Sequence, residues 1–274
     1  MSYQTEYDRS MNDPEGFWRK QAEALEWFRF PQHILTRDAD GNGHWFADGE
    51  MNTAYMALDH HVKHGRGDQL ALIYDSPVTS TKARYTYADL TDEVARTAGM
   101  LAALGVVKGD RVIIYMPMIP EAVIAMLAVA RLGAIHSVVF GGFAAPELAL
   151  RIDDAKPKVI LSASCGIEVK RVVEYKPLLD RAIELAVHKP QTCVIYQRPQ
   201  ATAPLLAGRD HEWTSLLAQA KPVDCTPVQG SDPLYILYTS GTTGKPKGVV
   251  RENGGHAVAL KYSMKAIYNV DPGN

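Results

Sequence analysis

An α/β fold, with a mostly parallel sheet layered between helices, is predicted by three observations. From residue 69 onward, short apolar runs alternate with segments of helical periodicity. The runs are apolar almost throughout, as strands buried on both faces are. The stretches between them are long enough to hold a helix, which is what a crossover between parallel strands requires.

Residues 1–62 form a polar, aromatic-rich lead-in, set apart from an α/β unit over residues 63–274. Within it, Asp13-Pro14-Glu15 reads as a helix start: Asp13 caps, Pro14 occupies the first position, and Glu15 favours the positive helix end. Residues 38–43 are a turn cluster, and Trp18, Trp27 and Trp45 are expected to anchor the lead-in on the main domain. Then follow an apolar run at 70–74 and a helix at 87–104, where Leu90, Val94, Ala98 and Leu101 share one face and Gly105 ends it. A strand at 111–116, a helix at 119–132 ending at Gly133, and a strand at 135–140 come next. A helix at 146–155 stops near Pro157, and a strand at 159–163, a helix at 177–187 and a strand at 193–196 complete the alternation. Residues 197–232 read as a long surface connection with one short helix at 213–220, and a last strand covers 234–239.

The chain has 274 residues, 46% apolar and 22% charged, an ordinary globular composition that excludes a disordered chain. Twenty-nine Lys and Arg against 31 Asp and Glu give a net charge of −2, which argues against an electrostatic nucleic-acid binder. Cys165, Cys193 and Cys225 show no CxxC spacing and fit free thiols in a reducing compartment. The longest apolar run, 122–130, is too short to span a membrane, and the polar, acidic N-terminus resembles neither a signal peptide nor a transit helix. A soluble, cytoplasmic protein without membrane or nucleic-acid partners is expected.

The most informative string is Tyr238-Thr239-Ser240-Gly241-Thr242-Thr243-Gly244-Lys245-Pro246-Lys247-Gly248. An apolar strand enters it and Val249-Val250 leaves it. Glycines let the backbone turn and let N–H groups approach an anion; hydroxyls add short donors, and lysines add point charges suited to phosphate. It is not the P-loop of the NTPases, which needs four residues between its first Gly and the Gly-Lys pair, whereas here only Thr242 and Thr243 intervene. Pro246 disfavours helix at Lys245, so the phosphate would be held by a loop between strands.

At these residues the sequence resembles the adenylate-forming superfamily. Tyr115-Met116-Pro117-Met118-Ile119, residues 135–144 (IHSVVFGGFA), 151–157 (RIDDAKP) and 236–250 (ILYTSGTTGKPKGVV) resemble the acetyl-CoA and propionyl-CoA synthetases. The tail 251–260 and the opening, with Tyr7, Ser10, Pro14 and Trp18, lie closer to the propionyl-CoA synthetases. The resemblance implies the N-terminal, large domain of an adenylate-forming enzyme, incomplete here. It also implies activation of a short-chain acid by ATP with Mg²⁺, and transfer of the acyl group to coenzyme A. Propionate is the expected acid; acetate, or a non-catalytic nucleotide- or coenzyme-A-binding module, is the alternative. By the resemblance, Thr239, Ser240, Gly241, Thr242, Thr243, Gly244, Lys245 and Lys247 hold ATP and the departing pyrophosphate, with Lys247 acting in catalysis. Phe140, Gly141 and Gly142 lie near coenzyme A, with Lys170 and Arg171 near its 3′-phosphate. Glu168 stands where that family carries a basic residue, and a carboxylate there opposes a phosphate.

No metal ligands are assigned. His60-His61 with His64 reads as a surface cluster, His136 as a hydrogen-bonded core residue, and Asp153-Asp154 as structural residues of a helix end. The family continues well past this chain with an aromatic-Gly-x-Thr-Glu motif, a Thr-Gly-Asp motif and a small C-terminal domain bearing a lysine. None of these strings occurs here. The expectation is therefore an N-terminal portion that does not turn over alone.

Overall fold

A computed structural model describes residues 2–169, 171–239 and 246–271. Its centre is a seven-stranded sheet in which the helical and extended periodicities of the sequence alternate as expected. In chain order the elements that build it are α1 (Tyr3–Asn12), α2 (Pro14–Ala22), β1 (Leu35–Arg37), β2 (Gly43–Trp45), β3 (Glu50–Met51), α3 (Thr53–Ala57), α4 (Asp59–His61), β4 (Leu70–Ser76), β5 (Thr81–Thr86), α5 (Tyr87–Ala103), β6 (Arg111–Met116), α6 (Pro120–Arg131), β7 (Ile135–Phe140), α7 (Ala145–Ala155), β8 (Val159–Ala163), β9 (Cys165–Glu168), β10 (Arg171–Glu174), α8 (Tyr175–Leu185), β11 (Thr192–Tyr196), β12 (Asp210–Glu212), α9 (Trp213–Gln219), β13 (Val228–Gln229), β14 (Pro233–Thr239), β15 (Lys247–Glu252) and α10 (Asn253–Ala266).

The main sheet runs β12-β11-β8-β6-β7-β14-β15, with every neighbouring pair parallel except the last, and β15 is its outermost strand among the described residues. Side chains alternate across it with period two. From β6, Val112, Ile114 and Met116 enter one core with Leu90, Val94 and Leu101 of α5 and Ile124 and Val129 of α6. Ile113 and Tyr115 enter the opposite core with Leu148 and Ile152 of α7 and Leu179 of α8. Both faces are covered, so the strands read as unbroken apolar runs rather than as alternating ones.

The helix boundaries follow local chemistry. Thr86 and Asp89 form a reciprocal capping box at the start of α5, with the Asp89 amide donating to Thr86 Oγ1 at 3.1 Å. Gly105 and Gly133, just past α5 and α6, take φ of +84° and +67°, which their lack of a Cβ permits. Asp13 caps α2 by accepting from the Gly16 amide at 3.0 Å, with Pro14 in the first turn. The helix α1 ahead of it was not foreseen; its mean polarity hides it, and Ser2 caps it.

Trp18 anchors the lead-in on α10, whereas Trp27 packs within the lead-in. Trp18 packs edge-on against Trp45 and against Tyr262 of α10, and Trp27 donates from its indole to the Ala22 carbonyl at 2.9 Å while packing on Phe46. Asn52 joins the lead-in to the domain. Its side chain accepts from the Tyr55 amide, capping α3, and its NH₂ donates to the Ala130 and Thr226 carbonyls at 2.9 Å each. Asn52 is fully buried, so Asn52→Ala should strand these acceptors and lower stability by about 2–3 kcal/mol, read by urea unfolding.

Residues 197–232 correct the expectation of a surface connection. They contribute β12 at the sheet edge, the buried Trp213 of α9, and β13, which pairs antiparallel with β3. These strands are two or three residues long, below what periodicity reveals, and their pairing partners are distant in sequence. No helix among the described residues is long and apolar enough to cross a membrane.

Candidate functional site

The connections leaving β6 and β7 diverge: α6 lies on one face of the sheet and α7 on the other. In open α/β sheets such a divergence opens a crevice at the carboxyl ends of the strands, where ligands bind. Three segments singled out from the sequence meet along this edge. The hydroxyl- and glycine-rich string leaves the end of β14, the Phe140–Phe143 turn leaves the end of adjacent β7, and the β9–β10 hairpin leaves the end of β8.

The strands on either side of the string, β14 and β15, pair antiparallel. Thr239 and Lys247 are paired in register, and the Thr239 hydroxyl faces the Lys247 carbonyl at 3.4 Å. Both residues are exposed. Ser240, Gly241, Thr242, Thr243, Gly244 and Lys245 lie outside the described residues, as does Lys170. A hairpin, not a helix start, therefore flanks the string, as Pro246 predicts.

Beneath the hairpin, α7 and β14 are locked together. The Tyr238 hydroxyl donates to Asp154 Oδ2 at 2.6 Å, and burial, reinforced by that carboxylate, raises the phenol's pKa. The Arg151 guanidinium lies 4.6 Å from the Phe143 ring centre and 5.5 Å from that of Tyr238. Asp153 accepts from the His188 amide at 2.8 Å. Each aspartate thus ties neighbouring elements together at the end of α7.

The Phe-Gly-Gly-Phe turn has a defined neighbour. A Cβ at Gly141 or at Gly166 would each lie 2.3 Å from the Tyr175 hydroxyl oxygen, so both glycines make room for this buried phenol. Tyr175 in turn lies against Tyr115, whose hydroxyl donates to the Phe143 carbonyl at 2.9 Å. Phe140 is 69% exposed, an apolar surface at the mouth of the crevice. Across the β9–β10 hairpin, Arg171 pairs with Glu168 at 3.1 Å, both exposed. The departure at Glu168 thus partly neutralises the arginine expected to meet a phosphate.

Sequence reasoning missed Tyr175, Tyr115 and Arg151 as the frame of this edge; nothing in the spacing of single aromatics signals that they converge. It also expected a hydrogen bond for His136, which the structure corrects. Its Nδ1 is buried without a partner, its ring stacks on Tyr235 at 5.4 Å, and burial pushes its pKa down to about 4. Apart from this edge, a cavity of about 580 Å³ sits near the start of β14, between Trp18, Trp45, Tyr235, Arg251 and His256.

Residues 58–273 match the AMP-binding enzyme family, and residues 3–57 match the acetyl-coenzyme A synthetase N-terminus family. The chain belongs to the AMP-binding enzymes, the family its motifs resemble. Its relatives are short-chain acyl-CoA synthetases. It is 51% identical over 272 residues to human acyl-CoA synthetase short-chain family member 3, mitochondrial, covering 99% of this chain and 40% of that one. It is 44% identical over 276 residues to the propionate–CoA ligase of Escherichia coli K12, covering all of this chain and 44% of that one. The fold matches acetoacetyl-CoA synthetase from Streptomyces lividans with a TM-score of 0.90 at 27% identity, over all of this chain and 42% of that one. The chain thus spans well under half the length of the relatives it matches.

Proposed function

We propose that these residues form the triphosphate-gripping and coenzyme-A-facing part of a propionate–CoA ligase. The carboxylate oxygen of the acid attacks the α-phosphorus of ATP and pyrophosphate leaves; the coenzyme A thiolate then attacks the acyl carbonyl and AMP leaves. The observation that carries this reading is the meeting, on one carboxyl edge, of the Thr239–Lys247 hairpin and the Phe140–Phe143 turn. In the first step an anion approaches a polyanion, so cations and N–H donors aimed at the phosphates are the dominant requirement. The string at 239–247, with its two lysines and four hydroxyls, supplies that chemistry. Mg²⁺ enters with the nucleotide. Propionate is supported by the E. coli relative and by the closeness of residues 251–260 to that branch.

The test is acid-dependent ATP–pyrophosphate exchange by an enzyme of the relatives' length carrying these residues, over a panel of short-chain acids. Propionate should give the highest kcat/KM. A preference for acetate would overturn the acyl assignment, and exchange independent of any acid would overturn the ligase. The 274 residues alone should show none.

The Glu168–Arg171 pair yields a second expected result. In the same enzyme, Arg171→Ala should raise the KM for coenzyme A about tenfold, the loss of one charge-assisted hydrogen bond, and leave the KM for ATP unchanged. Glu168→Gln should shift it the other way by releasing the guanidinium. Equal effects on both KM values would remove Arg171 from the coenzyme A site.

A further inference from the structure

Away from the carboxyl edge, the fold brings Glu26, in the segment after α2, against His60 of α4 and His64 in the turn that follows. His60 Nδ1 lies 2.8 Å from Glu26 Oε2, His64 Nε2 lies 4.0 Å from the same oxygen, and the two imidazole centres are 4.2 Å apart. We propose that Glu26, His60 and His64 form a divalent transition-metal site, suited to Zn²⁺, with a remaining position open to water.

The tautomer of the neutral His64 ring is set by its partner. Its Nδ1 lies 2.7 Å from the His60 backbone carbonyl oxygen, which only accepts, so Nδ1 carries the proton and the neutral ring presents a bare Nε2. That lone pair faces a carboxylate oxygen, another acceptor, at a distance too long for a hydrogen bond. A cation placed between them would be drawn by both lone pairs. A histidine whose second nitrogen donates to a carbonyl is the arrangement that supports metal-ligating imidazoles generally. The carboxylate is supported in the same way. The Tyr55 hydroxyl donates to Glu26 Oε1 at 2.6 Å, leaving Oε2 for the ion, and Lys63 donates to the Tyr55 oxygen at 3.2 Å. Hydrogen bonds from Tyr55 first and then from His60 Nδ1 hold the Glu26 carboxyl below its ordinary range, and the His60 proton is the one the ion would displace.

The spacing fits an ion of this size. Ligand atoms about 2.1 Å from a tetrahedral Zn²⁺ lie roughly 3.4 Å from one another. The observed 2.8 and 4.0 Å fall on either side of that value, and shifts of about half an ångström reconcile them. Two imidazoles and one carboxylate are a donor set that favours zinc over calcium or magnesium. His61, grouped with these residues by sequence, is not part of the site. It packs on Tyr87, its Nδ1 accepts from Arg66 Nε at 2.9 Å, and burial, with Arg66 nearby, pushes it down to about 4. Glu26 falls in the part of the chain matching the N-terminal family and both histidines in the part matching the AMP-binding family, so the ion would staple one to the other.

Calorimetric titration of the metal-free 274-residue chain with Zn²⁺ should show one equivalent bound with micromolar or tighter affinity, and Co²⁺ should give the intense visible bands of a four-coordinate site. His64→Gln and Glu26→Gln should each weaken binding at least tenfold and abolish the Zn²⁺-dependent rise in Tm. Tyr55→Phe, which leaves all three ligands, should weaken it by a smaller factor. Absence of saturable binding, or equal affinity in His64→Gln and Glu26→Gln, would overturn the site. Titration of His64 by NMR, unchanged by added Zn²⁺, would show that a proton alone bridges the pair and would overturn it equally.

Discussion

Lys247→Ala, in an enzyme of the relatives' length, is expected to slow acid-dependent pyrophosphate exchange about a hundredfold or more, the scale on which removing one preorganised donor from a developing anion acts. Lys247 opens β15 directly opposite Thr239, so strand pairing fixes its backbone where β14 and β15 come together. The side chain is exposed and no ion pair or side-chain hydrogen bond holds it among the described residues, so folding should be nearly unaffected, within about 0.5 kcal/mol. That separation makes the result readable: kcat falls while the unfolding midpoint stays. Thr239→Ala should act more weakly, since its hydroxyl makes only a long contact to the Lys247 carbonyl and shares its task with the string's other hydroxyls. A Lys247→Ala enzyme with unaltered exchange would remove the hairpin from the chemistry. Lys247→Arg separates charge from shape. Retained exchange means that charge at this place suffices, and loss means that a compact ammonium is required.

Asp210→Ala is expected to cost the fold about 3–5 kcal/mol, the range for removing one partner from a buried ion pair. Asp210 stands at the start of β12 with its carboxylate fully enclosed, and it meets Lys176 Nζ at 2.9 Å and Arg209 Nε at 2.6 Å. Asp180 also engages Lys176 at 2.6 Å and reaches Arg209, so two carboxylates and two cations tie α8 to the sheet edge. Lys176 itself is 3% exposed and would be left with one partner. Its share of a total near 5–15 kcal/mol makes this the most damaging single change foreseen outside the cores. The pH dependence carries a sign. Burial raises the Asp210 pKa, but hydrogen bonds from Arg209, the Leu206 amide and Lys176 outweigh it and leave the group below its ordinary value. The contribution is therefore complete above the unfolded carboxylate pKa of about 3.9 and fades as pH falls below it toward the folded value. Urea unfolding of parent and Asp210→Asn should diverge most at neutral pH and converge in acid. A difference independent of pH would mean that shape, not charge, holds this edge.

The fold was legible where information is local. The a-, d- and e-like spacing of α5, the apolar runs of β6, β7, β8 and β11, and the proline at the start of α2 each state their structure within one window of chain. What escaped is pairing across distance. β12 becomes a strand only because β11 lies beside it, and β13 only because β3, about 180 residues earlier, pairs with it. The candidate site divides the same way. The hydroxyl-rich string was visible from composition and order alone, whereas the Tyr175 ring seated against Gly141 and Gly166 was not. Glu26 could not have been joined to His60 from spacing, since 34 positions separate them and only the packing of the lead-in closes the gap.

The last strand of the sheet has a practical outcome. β15 leaves one side of its backbone unmatched among the described residues, with Val250 about half exposed, and Leu260 and Met264 of α10 and Ile267 just after it are likewise open to water. Such a border is a template for another chain's strand, and only Lys247, Arg251 and Glu252 along it discourage joining. Preparations of these 274 residues should therefore thicken into oligomers as concentration rises, and lysine placed at position 250 should hold them apart.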